Sequence, residues 1–254
     1  MNSIGALVQN SLLAAIGSEA RDFLGATGVV VDLPLGDIIR STDEKADQVW
    51  FPLSGMVSLT IPLQDGTTVE AGLVGREGVV GLSSLLDGCE PADEAMIQLP
   101  GQAFRVECNA FKELMERDRS TMLAVLRCSH DLFALVAQTA VCNVRHDVLQ
   151  RLARWILLSH DRADGNTMPL THELLGIMLG VQRNTVTVAA QSLQQQGAIQ
   201  YTRGRLTVID RTRLERLACE CYTAVQGRLS GYARAATAQG NADKAAAAAN
   251  SNGG

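Results

Sequence analysis

No run of about eighteen uncharged apolar residues occurs in this chain. The first residues, MNSIGALVQNSLLAAIG, also lack the basic flank of a signal peptide. Neither membrane insertion nor secretion is therefore expected, and the cytoplasm is the default location. The six cysteines (Cys89, Cys108, Cys128, Cys142, Cys219, Cys221) are scattered without a CxxC pair, which argues against a zinc knuckle and against a disulfide framework. Cys219 and Cys221 read as chance neighbours in a cysteine-tolerant helix. Cys142 and His146 lie one helical turn apart, but they could share a metal only with further ligands that the sequence does not show. His172-Glu173-Leu174-Leu175-Gly176 has glycine where a zinc protease motif needs its second histidine. Gly75, Gly78 and Gly81 recur every third residue, which is not the dinucleotide fingerprint, and they read as corners between strands. No nucleophile has a recognisable base beside it. No metal, no cofactor and no enzymatic activity are expected.

What is present begins with charge. The 254 residues carry a net charge of −5, with 46% hydrophobic residues, enough to build a core. From Cys142 to Arg234 there are 12 basic residues against 7 acidic, while the rest holds 10 basic against 20 acidic. An acidic half joined to a basic half suits a sensing domain attached to a module that must neutralise phosphate.

Along the chain, a short helix is expected over Ser11 to Leu24. Strand signals then run from Val29 to Glu107, in VVVDLPLG, QVWFPLSGMVSLTIPL, TTVEAGLVG and AMIQLPGQAFRVE, with Asp65-Gly66 as a hairpin turn. Strands this short and this closely spaced predict a compact β-barrel or β-roll. From Asn109 to Asp161 the spacing is helical throughout. Leu123, Leu126, His130, Phe133, Ala137 and Val141 recur every three or four residues as a seam that would pair with a second copy of the chain. Ala163-Asp164-Gly165-Asn166 and Pro169 then break the helix. The tail after Gly231, ending DKAAAAANSNGG, is low in large apolar residues and is expected to be disordered.

The segment Leu170 to Asp210 is the most informative. Leu174, Leu175, Met178 and Leu179 mark one face of a short helix, with Thr171 as its N-cap and Gly180 ending it in the left-handed turn that glycine tolerates. A second helix starts at Gln182. Its inner face would be Val186, Ala189, Ala190 and Leu193, and its outer face Gln182, Arg183, Asn184, Thr187 and Gln191. Two strands follow, Ile199 to Tyr201 and Leu206 to Ile209, joined at Thr202-Arg203-Gly204-Arg205. A short helix, a glycine turn, a polar helix and a basic-tipped hairpin within about forty residues have few uses besides reading a DNA major groove.

With β-roll, long helix and winged helix-turn-helix in that order, the chain resembles the Crp/Fnr family of bacterial transcription regulators along nearly its whole ordered length. The likeness is closest from LGVQRNTVTVAAQSLQQQGAI to Ala218–Tyr222 (ACECY), and WFPLSGMVSL at Trp50 to Leu59 is similar to a strand and glycine turn found across the family. The resemblance places the recognition positions on Gln182, Arg183, Asn184, Thr187 and Val188, with Arg183 as the guanine reader. Asn184 and Val188 stand where the best-studied members have Glu and Arg, so a different operator is implied. Cyclic-nucleotide-binding members hold the phosphate with a Gly-Glu-Leu turn and an Arg-Ser pair. Here the turn reads Val80-Gly81-Leu82-Ser83 and the pair aligns with Asp93 and Glu94, two carboxylates that would repel phosphate. The cysteine cluster of the iron-sulfur branch is absent, the first cysteine being Cys89. His130, His146, His160 and His172 all lie at or beyond the long helix, away from the β-roll interior where haem would need an axial ligand.

The reading is therefore an α+β protein. Residues 1–118 form a cyclic-nucleotide-binding-like β-roll (jelly roll) with its N-terminal helix, 119–145 a dimerisation helix, 146–231 a winged helix-turn-helix and 232–254 a disordered tail. It would be a homodimer on double-stranded DNA, touching bases and phosphates through Thr171, Gln182, Arg183, Asn184, Thr187, Val188, Gln191, Arg203 and Arg205, with RNA polymerase as a further partner, no membrane and an effector left open. The alternative is a β-roll ligand carrier or enzyme whose C-terminal half only binds proteins.

Overall fold

Two short helices stand where one is expected over Ser11 to Leu24, and a third precedes them. The computed structural model describes residues 3–42, 47–86 and 91–227, and it opens with α1 (Ser3–Leu7), α2 (Ser11–Ala15) and α3 (Ser18–Thr27). Asn10 causes one of the breaks. Its side-chain oxygen accepts from the backbone N–H of Leu12 and Leu13, while its Nδ2 donates to the carbonyls of Pro52 and Gly78, at 3.0 and 2.8 Å. The fully buried amide thus caps α2 and fastens it to the strands behind it.

Those strands are β1 (Val29–Leu33), β2 (Ile38–Arg40), β3 (Gln48–Pro52), β4 (Met56–Pro62), β5 (Thr68–Val74), β6 (Glu94–Leu99) and β7 (Gly101–Glu107). They form two antiparallel sheets, ordered β1-β7-β3 and β2-β6-β4-β5, so the expected β-roll is present. The chain crosses from one sheet to the other at Pro100, between β6 and β7. The turn at Asp65-Gly66 joins β4 to β5, with the Asp65 carboxylate accepting from the Thr67 N–H and hydroxyl. Leu33, Val57, Ile97 and Ala103 fill the space between the sheets. Phe51, Phe104 and Phe111 bind the three-stranded sheet to the helices outside it, with the rings of Phe51 and Phe111 meeting edge to face at 5.1 Å.

The continuous helical spacing after Asn109 resolves into α4 (Cys108–Arg117), α5 (Arg119–Arg145) and α6 (Val148–His160). Two aspartates make the breaks. Asp118 accepts from the N–H groups of Ser120 and Thr121, and Asp147 from that of Gln150, so each starts a new helix inside an unbroken apolar pattern. Thr121, Ala124, Val125, Cys128, Leu135 and Cys142 of α5 are buried against the molecule. Leu123, Leu126, His130, Phe133, Ala137 and Val141 all lie exposed along one stripe on the other side, Phe133 with 71% of its surface open. This helix is long and apolar enough to cross a membrane by length and composition. Arg127 and Asp131 lie within it, so it is not an uncharged apolar run.

The remainder is β8 (Thr167–Met168), α7 (His172–Leu179), α8 (Arg183–Gln195), β9 (Ile199–Thr202), β10 (Arg205–Val208), α9 (Arg211–Leu217) and a helical segment over 221–227. The third sheet is ordered β8-β10-β9; its two-residue strand β8 is not anticipated from sequence. Trp155 and Ile156 of α6 pack with Leu175 of α7, Val186 and Leu193 of α8, and Leu206 of β10. At about 1.5–3 kcal/mol for each large side chain removed from water, this core holds the C-terminal domain together. The domain rests on β5 and the turn after it, where Trp155 Nε1 donates to Glu70 of β5 at 2.9 Å and the Arg162 guanidinium pairs with Glu77. The expected tail after Gly231, Cys89 and residues 228–231 lie outside the described residues.

Candidate nucleic-acid interface

Thr171 caps α7 as its sequence position predicts, its hydroxyl accepting from the Leu174 N–H at 3.1 Å. The helix stops at Gly180, whose φ of 62° is left-handed, and the Val181 N–H returns to the Gly176 carbonyl at 3.0 Å. This turn swings α8 across α7. Val186, Ala189, Ala190 and Leu193 are buried, and the two alanines keep the inner face thin enough for α6 to approach.

Gln182, Arg183, Asn184, Val188 and Gln191 therefore point outward on the first three turns of α8, Val188 with 67% of its surface exposed. Gln182 is the N-cap and not the first helical residue. Thr187 differs from the others. It is half-buried, its hydroxyl donates to the Arg183 carbonyl at 3.0 Å and it lies 3.0 Å from His172 Nδ1, so it braces α8 against α7. The His172 ring packs on Tyr201 at 4.3 Å between centroids. Burial, and then the nearby Arg183 charge, hold the His172 pKa below its ordinary value, so the histidine stays neutral at physiological pH.

Arg203 and Gly204 form the two-residue turn between β9 and β10, with φ of 49° and 77°. Positive φ at both positions is the hairpin turn that matches strand twist, and it normally selects Asn-Gly or Asp-Gly. Among the described residues Arg203 is the one non-glycine with positive φ. A Cβ on Gly204 would sit 3.6 Å from the Thr171 methyl. The hairpin tip, the start of α7 and the outer face of α8 thus make one surface, and Thr171, Arg203 and Arg205 are exposed on it.

In the β-roll, Asp93 is not a bare carboxylate. It pairs with Arg40 of β2, and Arg40 also donates to Ser83 Oγ at 2.9 Å. A guanidinium and a hydroxyl do meet there, but from residues far apart in sequence and with the cation already neutralised. Glu94 begins β6 opposite Thr60. Cys142, His146, Cys219 and Cys221, which the sequence presents as two unrelated pairs, converge in space. Their separation along the chain is why spacing rules miss them.

Two family models match the chain, the cyclic nucleotide-binding domain over residues 30–118 and the Crp-like helix-turn-helix domain over 150–217. Together they cover more than half of it, in the order of the two domains described above. The chain belongs to the Crp/Fnr family. Among solved structures it is similar to FixK2 from Bradyrhizobium japonicum, at 19% identity and a TM-score of 0.65, covering 76% of this chain and 98% of that one. It is also similar to a CRP-family transcriptional regulator from Thermus thermophilus, at 19% identity and a TM-score of 0.64, over 74% and 96% of the two chains. A third is the c-di-GMP responsive global regulator CLP from Xanthomonas campestris, at 15% identity and a TM-score of 0.61, over 76% and 99%. These likenesses fix the Crp/Fnr architecture of β-roll, long helix and winged helix. No curated protein matches the chain by sequence.

Proposed function

We propose that this Crp/Fnr protein is a cytoplasmic, sequence-specific DNA-binding transcription regulator and not an enzyme. It acts as a homodimer on a pseudo-palindromic operator with half-sites about one helical turn apart. The observation that carries the reading is the single exposed surface made by Thr171, the outer face of α8 and the Arg203-Arg205 hairpin tip. Arg183 is the only cation on α8, and at the helix start it suits a bidentate contact to guanine O6 and N7. Val188 suits a thymine methyl, and Gln182, Asn184 and Gln191 suit base edges or phosphate. Arg203 and Arg205 add phosphate contacts that carry no sequence information. The apolar stripe of Leu123, Leu126, His130, Phe133, Ala137 and Val141 on α5 supports pairing with a second copy rather than lipid, since the stripe covers one side only and the other is packed on the β-roll. RNA polymerase is the expected further partner.

Arg183→Ala is expected to fold normally, to lose about 1–3 kcal/mol of operator affinity and to relax base preference at one position in each half-site. An unchanged consensus for the variant would show that the helix is read in another register. Leu82 in the ribose position and the Arg40–Asp93 pair argue that neither cyclic AMP nor cyclic GMP is the effector. Calorimetric titration with either should be flat, and micromolar affinity would refute this part of the reading.

A further inference from the structure

Cys142 lies in the last turn of α5 and His146 caps that helix, four residues on. Cys219 and Cys221 lie just beyond α9, in the stretch that closes the C-terminal domain. One ligand atom from each of the four comes within 4.8 Å of all the others. We propose that these residues bind a single zinc-class divalent cation that fastens the end of α5 to the closing segment of the winged-helix domain.

The geometry fits one ion. With metal–sulfur bonds of about 2.3 Å and metal–nitrogen bonds of about 2.0–2.1 Å, a tetrahedral site has edges of about 3.8 Å between sulfurs and about 3.6 Å between sulfur and nitrogen. The sulfurs of Cys142 and Cys219 are 3.5 Å apart, and Cys221 Sγ is 3.6 Å from His146 Nδ1. Three thiolates and an imidazole form a soft, closed set with no open position, which is a structural site for zinc rather than a catalytic one.

The surroundings fit as well. His146 Nε2 is 3.1 Å from the Glu220 carboxylate, which fixes the ring so that Nδ1 faces the cysteines; a carboxylate behind a ligating histidine is the usual support of such sites. The Gln138 amide donates to Cys221 Sγ at 3.0 Å. Three thiolates around a divalent cation leave one negative charge, and the buried guanidinium groups of Arg151 and Arg154 lie within electrostatic reach of Cys142. A disulfide between Cys142 and Cys219 would account for two of the four residues and leave the His146–Glu220 support and Cys221 without a purpose. Binding releases the thiol protons, so it couples the ion to the folded junction. The effect on operator binding rests on the function proposed above: the link 146–147 between α5 and α6 is the hinge that the ion would hold.

The test uses the full chain, purified reduced and without chelator. Elemental analysis should find one zinc per chain. Cobalt(II) titrated into the chelator-stripped protein should give the visible bands of a tetrahedral site and thiolate charge-transfer absorption, both lost in Cys219→Ser and Cys221→Ser. If those variants do not fold, the cobalt spectrum of the unmutated chain still decides. Wild-type protein that takes up neither metal, with all its thiols open to titration after unfolding, overturns the site, as does a Cys142–Cys219 disulfide that persists in place of metal uptake. Stripping zinc should weaken operator binding about fivefold or more. Equal affinity with and without zinc would refute the hinge role while leaving the site. A zinc-loaded protein that binds no DNA would refute the proposed function and not the site.

Discussion

At the scale of single residues, Arg203 shows a local conflict resolved in favour of exposure. A branched or long side chain in the left-handed region costs about 1–2 kcal/mol, and Asn or Gly would remove much of that cost at a hairpin tip. Here a guanidinium occupies the position instead. Arg203→Asn is expected to raise unfolding stability by up to about 1 kcal/mol in denaturant titration, while lowering DNA affinity and reducing the salt slope by about one. A variant less stable than the parent would refute the backbone strain, and an unchanged salt slope would remove the phosphate contact from the account. The exposed placement of most residues on the candidate surface is legible in the sequence, because caps, glycine turns and helix faces are set within a few positions of each other. Thr187 is the exception. Its position predicts an outward hydroxyl, but His172, fifteen residues earlier, occupies it. The Arg40–Asp93 pair and the cysteine cluster escape sequence reading for the same reason: the fold, not the spacing, brings their members together.

Among elements, the break between α5 and α6 and the seating of α6 on β5 join the two halves. Helical periodicity runs without interruption through Asp118 and Asp147, and the breaks there come from aspartate side chains accepting from the N–H groups of the turn that follows. The two-residue strand β8 is too short to leave any alternation to read. At the junction, Glu70 is buried, accepting from Ser58 Oγ and Trp155 Nε1, and loss of solvation pushes its pKa up to about 7. A carboxyl raised in the folded state contributes stability that is fully present below its unfolded value near 4.5 and is lost as pH rises through about 7. By this account the ionised form costs the folded chain about 3 kcal/mol at high pH. Glu70→Gln should therefore gain stability relative to the parent between about pH 4.5 and pH 7, measured as the difference in melting temperature at each pH. A constant difference across that range would mean that Glu70 is solvated or paired when ionised.

For the whole molecule, the division of charge seen in sequence follows the division of structure. The acidic excess lies in the β-roll and its helices, and the basic excess in the domain that carries α7, α8 and the hairpin. The exposed apolar stripe on α5 stands between them, and under the proposed function it would set two such domains about a two-fold axis. The central claim is that this dimer reads DNA through α8. It is tested most directly by selecting bound sequences from a random duplex pool with the purified protein, at moderate and then raised salt. The account predicts a two-fold symmetric motif with half-sites about one helical turn apart, bound less tightly as salt rises. Enrichment of a single asymmetric site, or none from a protein shown to be folded and dimeric, would contradict it.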